Sequence, residues 1–305
     1  MNTSPSMAHT RPAEMTADLL SILAIGDSHI TGYEARTYTL DVVGSDRKLE
    51  ARIQPVYVGG SQLAFESIVT FADGDMTLNP LLEAALVGRW PGLNVKAQPI
   101  DPNVRVIQHL VLSLGTALSG SDPAMDTKRA DRLSFRHDMD FVLPAQPALP
   151  VDPACTLLPV NLIRDMFAAT FTSLQTALGF LENMHPRRTW LVGSPPPSED
   201  NAVKDRFLAS RARAHGTPSV LLPPATVALK LWLLVNEIVQ ALCKECGVRF
   251  IDCSPVACNE RGFLKPEYEH DGVHGNTRYN ELMAQYIVSI IGTTEAAMTP
   301  YAAPT

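Results

Sequence analysis

Five short apolar runs, separated by helical patterns, constrain the fold of this chain more than any other feature. They cover residues 20–25, 55–58, 109–114, 190–192 and 248–251. In each run apolar residues follow one another instead of alternating with polar ones, the mark of strands buried on both faces. Between them lie helical stripes. In 159–184, Ile163, Met166, Phe167, Phe171, Leu174, Leu178 and Leu181 recur in steps of three and four. Near the carboxyl end, Tyr279, Leu282, Met283, Tyr286, Ile287, Ile290 and Ile291 do the same. Helical patterns also fit 61–71, 78–88 and 226–245. Strands alternating with helices predict an α/β fold, a parallel sheet with helices on both faces. In such sheets functional groups gather beyond the carboxyl ends of the strands.

The 305 residues suffice for one large domain or two ordinary ones. The expected domain is 18–292. Residues 1–17 are rich in Thr, Ser, Pro, Met and Ala and are expected to be disordered. Residues 293–305 read as a flexible tail. The segment 119–153, rich in Asp, Arg and Pro, reads as a long insertion, either part of the site wall or a lid.

A net charge of -7 without a basic cluster argues against a nucleic-acid surface. No stretch reaches the roughly 18 unbroken apolar residues of a bilayer span. The most apolar segment, 227–243, is interrupted by Lys230, Asn236 and Glu237. The first twenty residues carry no apolar core of a secretory signal, so the expected location is the cytoplasm. The five cysteines are an odd number and read as reduced thiols. Cys243-x-x-Cys246 with Cys253 and Cys258 could suggest zinc, but these positions end a helix and a strand, and small buried side chains are the simpler reading. No metal is expected. With neither a P-loop nor a GxGxxG pattern, no nucleotide cofactor is expected either.

The first apolar run ends in Gly26-Asp27-Ser28-His29. That puts a serine just past the carboxyl end of a buried strand. A serine hydroxyl is a poor nucleophile until a base takes its proton, and the usual base is a histidine oriented by a carboxylate. Far along the chain, "YEHDGVHGN" holds Asp271 and His274, three residues apart on a turn just ahead of the final helix. A helix-capping turn at Asp27 or Ser28 is the alternative for the first motif taken alone.

Taken together, Gly26-Asp27-Ser28-His29 and Asp271-x-x-His274 resemble the SGNH/GDSL hydrolase superfamily. "DFVLPAQPALP", "GSPPP", "LKLW" and "GFLKPEYEHDGVHGN" extend the resemblance, toward a bacterial branch of SGNH-like proteins, over most of residues 20–291. The resemblance implies a three-layer α/β/α, flavodoxin-like domain with a central parallel sheet of about five strands. It implies Ser28 as nucleophile, His274 as base and Asp271 as the acid orienting it. The family's oxyanion hole uses the serine N–H, a glycine after the second strand and an asparagine after the third. Here the glycine is Gly60, or its neighbour Gly59. After Gly115 the chain reads Thr116, Ala117, Leu118, with no asparagine. Thr116, or Ser113 or Ser119, would have to replace that donor. His29 and Gly115 are the expected substrate contacts, with packing the other reading of His29.

The expected function is hydrolysis of a small-molecule or saccharide ester through an acyl-enzyme on Ser28. Two alternatives stay open. The same triad could pass the acyl group to a saccharide, or the missing asparagine could mark a weak or inactive binding protein. Oligomeric state is not set by any of these features.

Overall fold

A computed structural model describes residues 20–26, 28–30, 32–33, 36–41, 48–57, 69–72, 75–78, 108–113, 135–184, 188–216 and 221–298. The N-terminal stretch 1–17 lies outside the described residues, as do Gly60, Gly115, Thr116 and Ser119.

One six-stranded sheet organises the chain. Its strands are β1 (Leu20–Gly26), β2 (Arg36–Asp41), β3 (Lys48–Tyr57), β6 (His109–Ser113), β9 (Thr189–Val192) and β10 (Arg249–Ile251), in the order β10-β9-β6-β1-β3-β2. The five expected strands are all present and all mutually parallel. Their order, with the second strand outside the first and the others following on the far side, is that of flavodoxin-like folds. The sixth strand, β2, was not expected. It adds antiparallel to β3, pairing Arg36 with Ile53 and Asp41 with Lys48. This also lengthens β3 toward its amino end, where alternating Leu49, Ala51 and Ile53 replace a continuous apolar run.

Elsewhere β4 (Val69–Ala72) and β5 (Asp75–Leu78) form an antiparallel hairpin. This corrects the helical reading at 69–71 and at 78. Val69, Thr70 and Phe71 favour strands, and Asp73-Gly74 between the two strands is a common hairpin connection. The rest of 61–71 and 78–88 lies outside the described residues. A third small pairing, β7 (Met139–Asp140) with β8 (Thr156–Leu157), lies within the irregular segment 135–159.

The long helices are α1 (Val160–Met184), α2 (Asn201–His215), α3 (Ala225–Cys246) and α5 (Thr277–Met298), with a short α4 (Ser254–Ala257). Helix α5 continues to Met298, past residue 293 where the tail was expected to begin. The sheet has two covered faces, and the period-2 geometry of β1 divides them. Leu20, Ile22 and Ala24 join a core with Tyr279, Met283, Ile287 and Ile291 of α5. Leu23 and Ile25 join a second core with Leu174, Leu178 and Leu181 of α1 and Val235 and Val239 of α3. These two cores make the three layers.

By length and composition α3 is apolar enough to cross a membrane, but 56% of that window is buried inside the protein. Lys230 explains how the apolar run tolerates a charge. It is fully buried and ion-paired with the equally buried Asp140. Its Nζ also donates to the carbonyls of Phe141 and Pro150, both at 3.0 Å. Asp140 in turn accepts from the amides of Phe141 at 2.6 Å and Asp152 at 2.8 Å. Every polar atom of the pair is thus engaged, the condition under which a buried ion pair is tolerated. It pins the irregular segment onto α3.

The register of β1 sets the level of the functional edge. Gly26 lies opposite Tyr57 of β3 and Ser113 of β6. The strands leading to Gly60 and to Gly115-Thr116 therefore end on either side of the strand leading to Ser28. A Cβ on Gly26 would fall 2.1 Å from the Ser113 carbonyl oxygen, so no larger residue fits this close approach.

Candidate functional site

Directly after β1 the chain makes a single 3-10 turn, Ser28–Ile30. Of Ser28 only the backbone is described. Within this turn His29 and Ile30 are buried. The loop that carries Asp271 and His274 comes from the other end of the sequence and meets this turn.

That loop is built around Asp271. Its Oδ1 accepts the amides of Val273 at 2.9 Å and His274 at 2.7 Å, and its Oδ2 lies 2.8 Å from His274 Nδ1. Between them Gly272 adopts φ +79°, and a Cβ there would lie 2.6–2.7 Å from Lys204 backbone and Cβ atoms. Only glycine meets both demands, which lets the loop rest against the start of α2. Backbone bonds close the loop, with the His270 amide donating to the His274 carbonyl at 3.2 Å. Asn276 caps α5, its Oδ1 accepting from the Tyr279 amide at 3.1 Å.

Burial by itself would raise the Asp271 carboxyl. The hydrogen bonds from the His274 ring, the His274 amide and the Val273 amide outweigh it, and the pKa falls to about 2. Asp271 is therefore an anion that can only accept, so His274 Nδ1 carries the ring proton. The lone pair then sits on Nε2, the arrangement of an oriented general base. The His274 side chain keeps 24% exposure. Its ring lies 5.3 Å from that of His29 and 5.9 Å from that of Phe207, the latter at 89°.

His29 bridges the two parts of the site. Its Nε2 lies 3.1 Å from the carbonyl oxygen of Val273, 244 residues away in sequence. An open cleft of about 410 Å³ runs beside the loop, lined among others by His29, His270, Asp271, His274, Asn276 and Asn280. A pocket of about 30 Å³, room for a water or two, lies behind the loop against Ser194, Pro195, Lys204 and Val273.

The structure thus brings Asp271, His274, His29 and the backbone of Ser28 to one edge. Gly60, Gly115 and Thr116 follow strands that end at that edge but lie outside the described residues. Sequence reasoning missed Phe207 and the helix that carries it. The caps of α2 are visible in the sequence: Asp200, whose carboxylate accepts the Ala202 amide at 2.8 Å, and Gly216 at φ +62°. Its apolar stripe is too weak to announce a helix. Among the described residues, no group of three or more His, Cys, Asp or Glu side chains is placed to hold a metal ion. All five cysteines are free thiols, and burial is the first cause raising each one's pKa.

No protein-family model matches the chain, and no curated protein matches it. Solved structures do. A GDSL-like lipase from Bacteroides thetaiotaomicron is 11% identical with a TM-score of 0.41, over 90% of this chain and 88% of that one. A carbohydrate acetylesterase family member from Sinorhizobium meliloti is 14% identical with a TM-score of 0.39, over 89% of this chain and 97% of that one. A lipase/acylhydrolase from Enterococcus faecalis is 13% identical with a TM-score of 0.38, over 89% and 95%.

Proposed function

We propose that the protein is a serine hydrolase of the SGNH/GDSL type, cleaving a small-molecule or saccharide ester through an acyl-enzyme. One observation carries the reading. An ionised Asp271 holds His274 Nδ1 at 2.8 Å, on a loop bonded to the turn that contains Ser28.

Ser28 Oγ attacks the ester carbonyl carbon while His274 Nε2 takes its proton. Asp271 stabilises the imidazolium that forms. The amides of Ser28 and Gly60 and the hydroxyl of Thr116 receive the oxyanion. The carbon–oxygen bond to the leaving alcohol then breaks, and the imidazolium returns the proton to that alcohol. Water attacks the acyl-enzyme with His274 again as base, releasing the carboxylic acid and restoring the Ser28 hydroxyl. The open cleft takes the alcohol side, and its polar lining of His270, Asn276 and Asn280 suits hydroxyl groups. Five free thiols support a reducing compartment such as the cytoplasm.

The test pairs a fluorophosphonate probe with p-nitrophenyl acetate turnover, on the native protein and on Ser28→Ala and His274→Ala. Labelling and turnover that vanish with Ser28→Ala are expected. Native protein that neither labels nor turns over the ester would sink the reading.

A further inference from the structure

We propose that His29 is a positioning residue, clamping the His274 loop at a fixed height over the Ser28 turn through its bond to the Val273 carbonyl. What the loop does chemically rests on the esterase reading above; the clamp itself rests on geometry alone.

Val273 is gripped from both sides. Its N–H donates to Asp271 Oδ1 at 2.9 Å, and its carbonyl meets His29 Nε2 at 3.1 Å. A carbonyl only accepts, so His29 must carry its proton on Nε2. His29 is 6% exposed and the bond is partly buried, where leaving the carbonyl unmet carries a cost. Each end of the bond is one residue from a proposed catalytic group: His29 follows Ser28, and Val273 precedes His274. One hydrogen bond therefore joins the two elements across 244 residues of chain. At Gly272 the loop is stopped by the backbone of Lys204. The His29 ring also stands 5.3 Å from the His274 ring, limiting how far the latter can tilt. Loss of the donor frees the loop to move away from the turn, and a displacement of about 1 Å at a reacting pair can cost roughly 10²-fold in rate.

The experiment uses the full chain with His29→Leu, which fills the space without a donor, and His29→Gln, which keeps an N–H donor. Should His29→Leu fail to fold, His29→Phe takes its place. Three quantities are measured: the histidine tautomers by ¹⁵N NMR, kcat and KM on p-nitrophenyl acetate, and thermal melting. The clamp predicts an Nε2–H tautomer for His29 in the native protein. It predicts a kcat at least about tenfold lower for His29→Leu, with KM within about twofold, melting lowered by no more than a few degrees and partial recovery in His29→Gln. A native Nδ1–H tautomer would overturn the clamp. So would an unchanged kcat, or a raised KM with kcat intact, which marks a substrate contact instead. Native protein without esterase activity counts against the esterase reading only. The clamp is then judged by amide hydrogen exchange in the loop 270–276, which His29→Leu must speed and His29→Gln restore if the clamp is real, and which stays unchanged if it is not.

Discussion

Two histidines at opposite ends of the same sheet are wired in opposite ways. At the carboxyl edge, His274 gives its Nδ1 proton to an ionised carboxylate at 2.8 Å and keeps 24% exposure. At the amino end, His109 opens β6 and is almost fully buried. Its Nδ1 accepts from the Trp190 indole N–H at 3.1 Å, so its proton sits on Nε2, 3.4 Å from Glu295 Oε1. An imidazolium could not accept that indole bond, so the neutral form is built in. The nearby Glu295 would favour the charged ring. Burial, followed by the charges of Arg188 and Arg249, outweighs it and lowers the pKa of His109 to about 4. In the proposed mechanism, a histidine whose Nδ1 proton is held by a carboxylate keeps Nε2 for taking up a proton. One locked neutral between an indole and a carboxylate is arranged to hold a helix against a sheet.

The sharpest way to break this contrast is to change the partner of each ring. Asp271→Asn removes the anion and allows the amide to favour the wrong His274 tautomer. On p-nitrophenyl acetate it should lower kcat by roughly 10⁴. His109→Gln, in the same assay, should leave kcat within about threefold. If both substitutions, or neither, abolish turnover, the two histidines do not differ as proposed.

The next largest effect concerns stability. Asp140 is a carboxylate whose whole environment is protein, unlike Asp271. Lys230→Met leaves it buried without its counter-ion, which typically costs about 3–5 kcal/mol. Urea unfolding should read this as a lowered midpoint with an unchanged slope. A loss under about 1 kcal/mol would mean that the segment around Asp140 opens to water when the lysine is gone.

His109 supplies a smaller, pH-dependent effect. Its folded pKa of about 4 lies below the ordinary histidine value of 6.5, so the unfolded chain binds the proton more readily. The stability it contributes is whole above pH 6.5, falls between 6.5 and about 4, and is gone below that. The change should be on the order of 1–3 kcal/mol, and His109→Gln should flatten that part of the curve. An identical acid limb in the variant would place the effect elsewhere.

Much of this wiring was legible before any coordinates. Continuous apolar runs announce strands buried on both faces, and all five were found, because burial of that kind leaves a pattern in consecutive residues. Asp271 and His274 were legible as a pair for a similar reason: three residues apart around Gly272, they fold against each other locally. The edge strand β2 was not, since one exposed side and a mixed sequence, Arg36-Thr37-Tyr38-Thr39-Leu40-Asp41, leave no run to see. Helix α2 hid behind its charges. Lys230 read as an interruption of an apolar segment, while its partner Asp140 lies 90 residues upstream beyond any local pattern. The bond from His29 to Val273 joins the two ends of the chain, and no window of sequence contains both.

The smallest effect returns to Asp271 and separates its chemical role from its structural one. Its folded pKa of about 2 lies below the ordinary aspartate value of 3.8. A carboxyl lowered by folding stabilises the fold fully above its unfolded value and loses that contribution as pH falls through its folded value. Stability from Asp271 is therefore complete above pH 3.8 and lost as pH drops toward 2. Its side chain is 15% exposed, so solvent screening reduces the gain to about 1–2 kcal/mol. Asp271→Asn should thus shift the native-minus-variant stability difference only below pH 3.8, in a window that begins where the His109 transition ends. At neutral pH the same variant should lose most of its turnover while melting within a few degrees of the native protein. A variant that lost both together would show that the carboxylate holds the loop first and orients the imidazole only as a consequence.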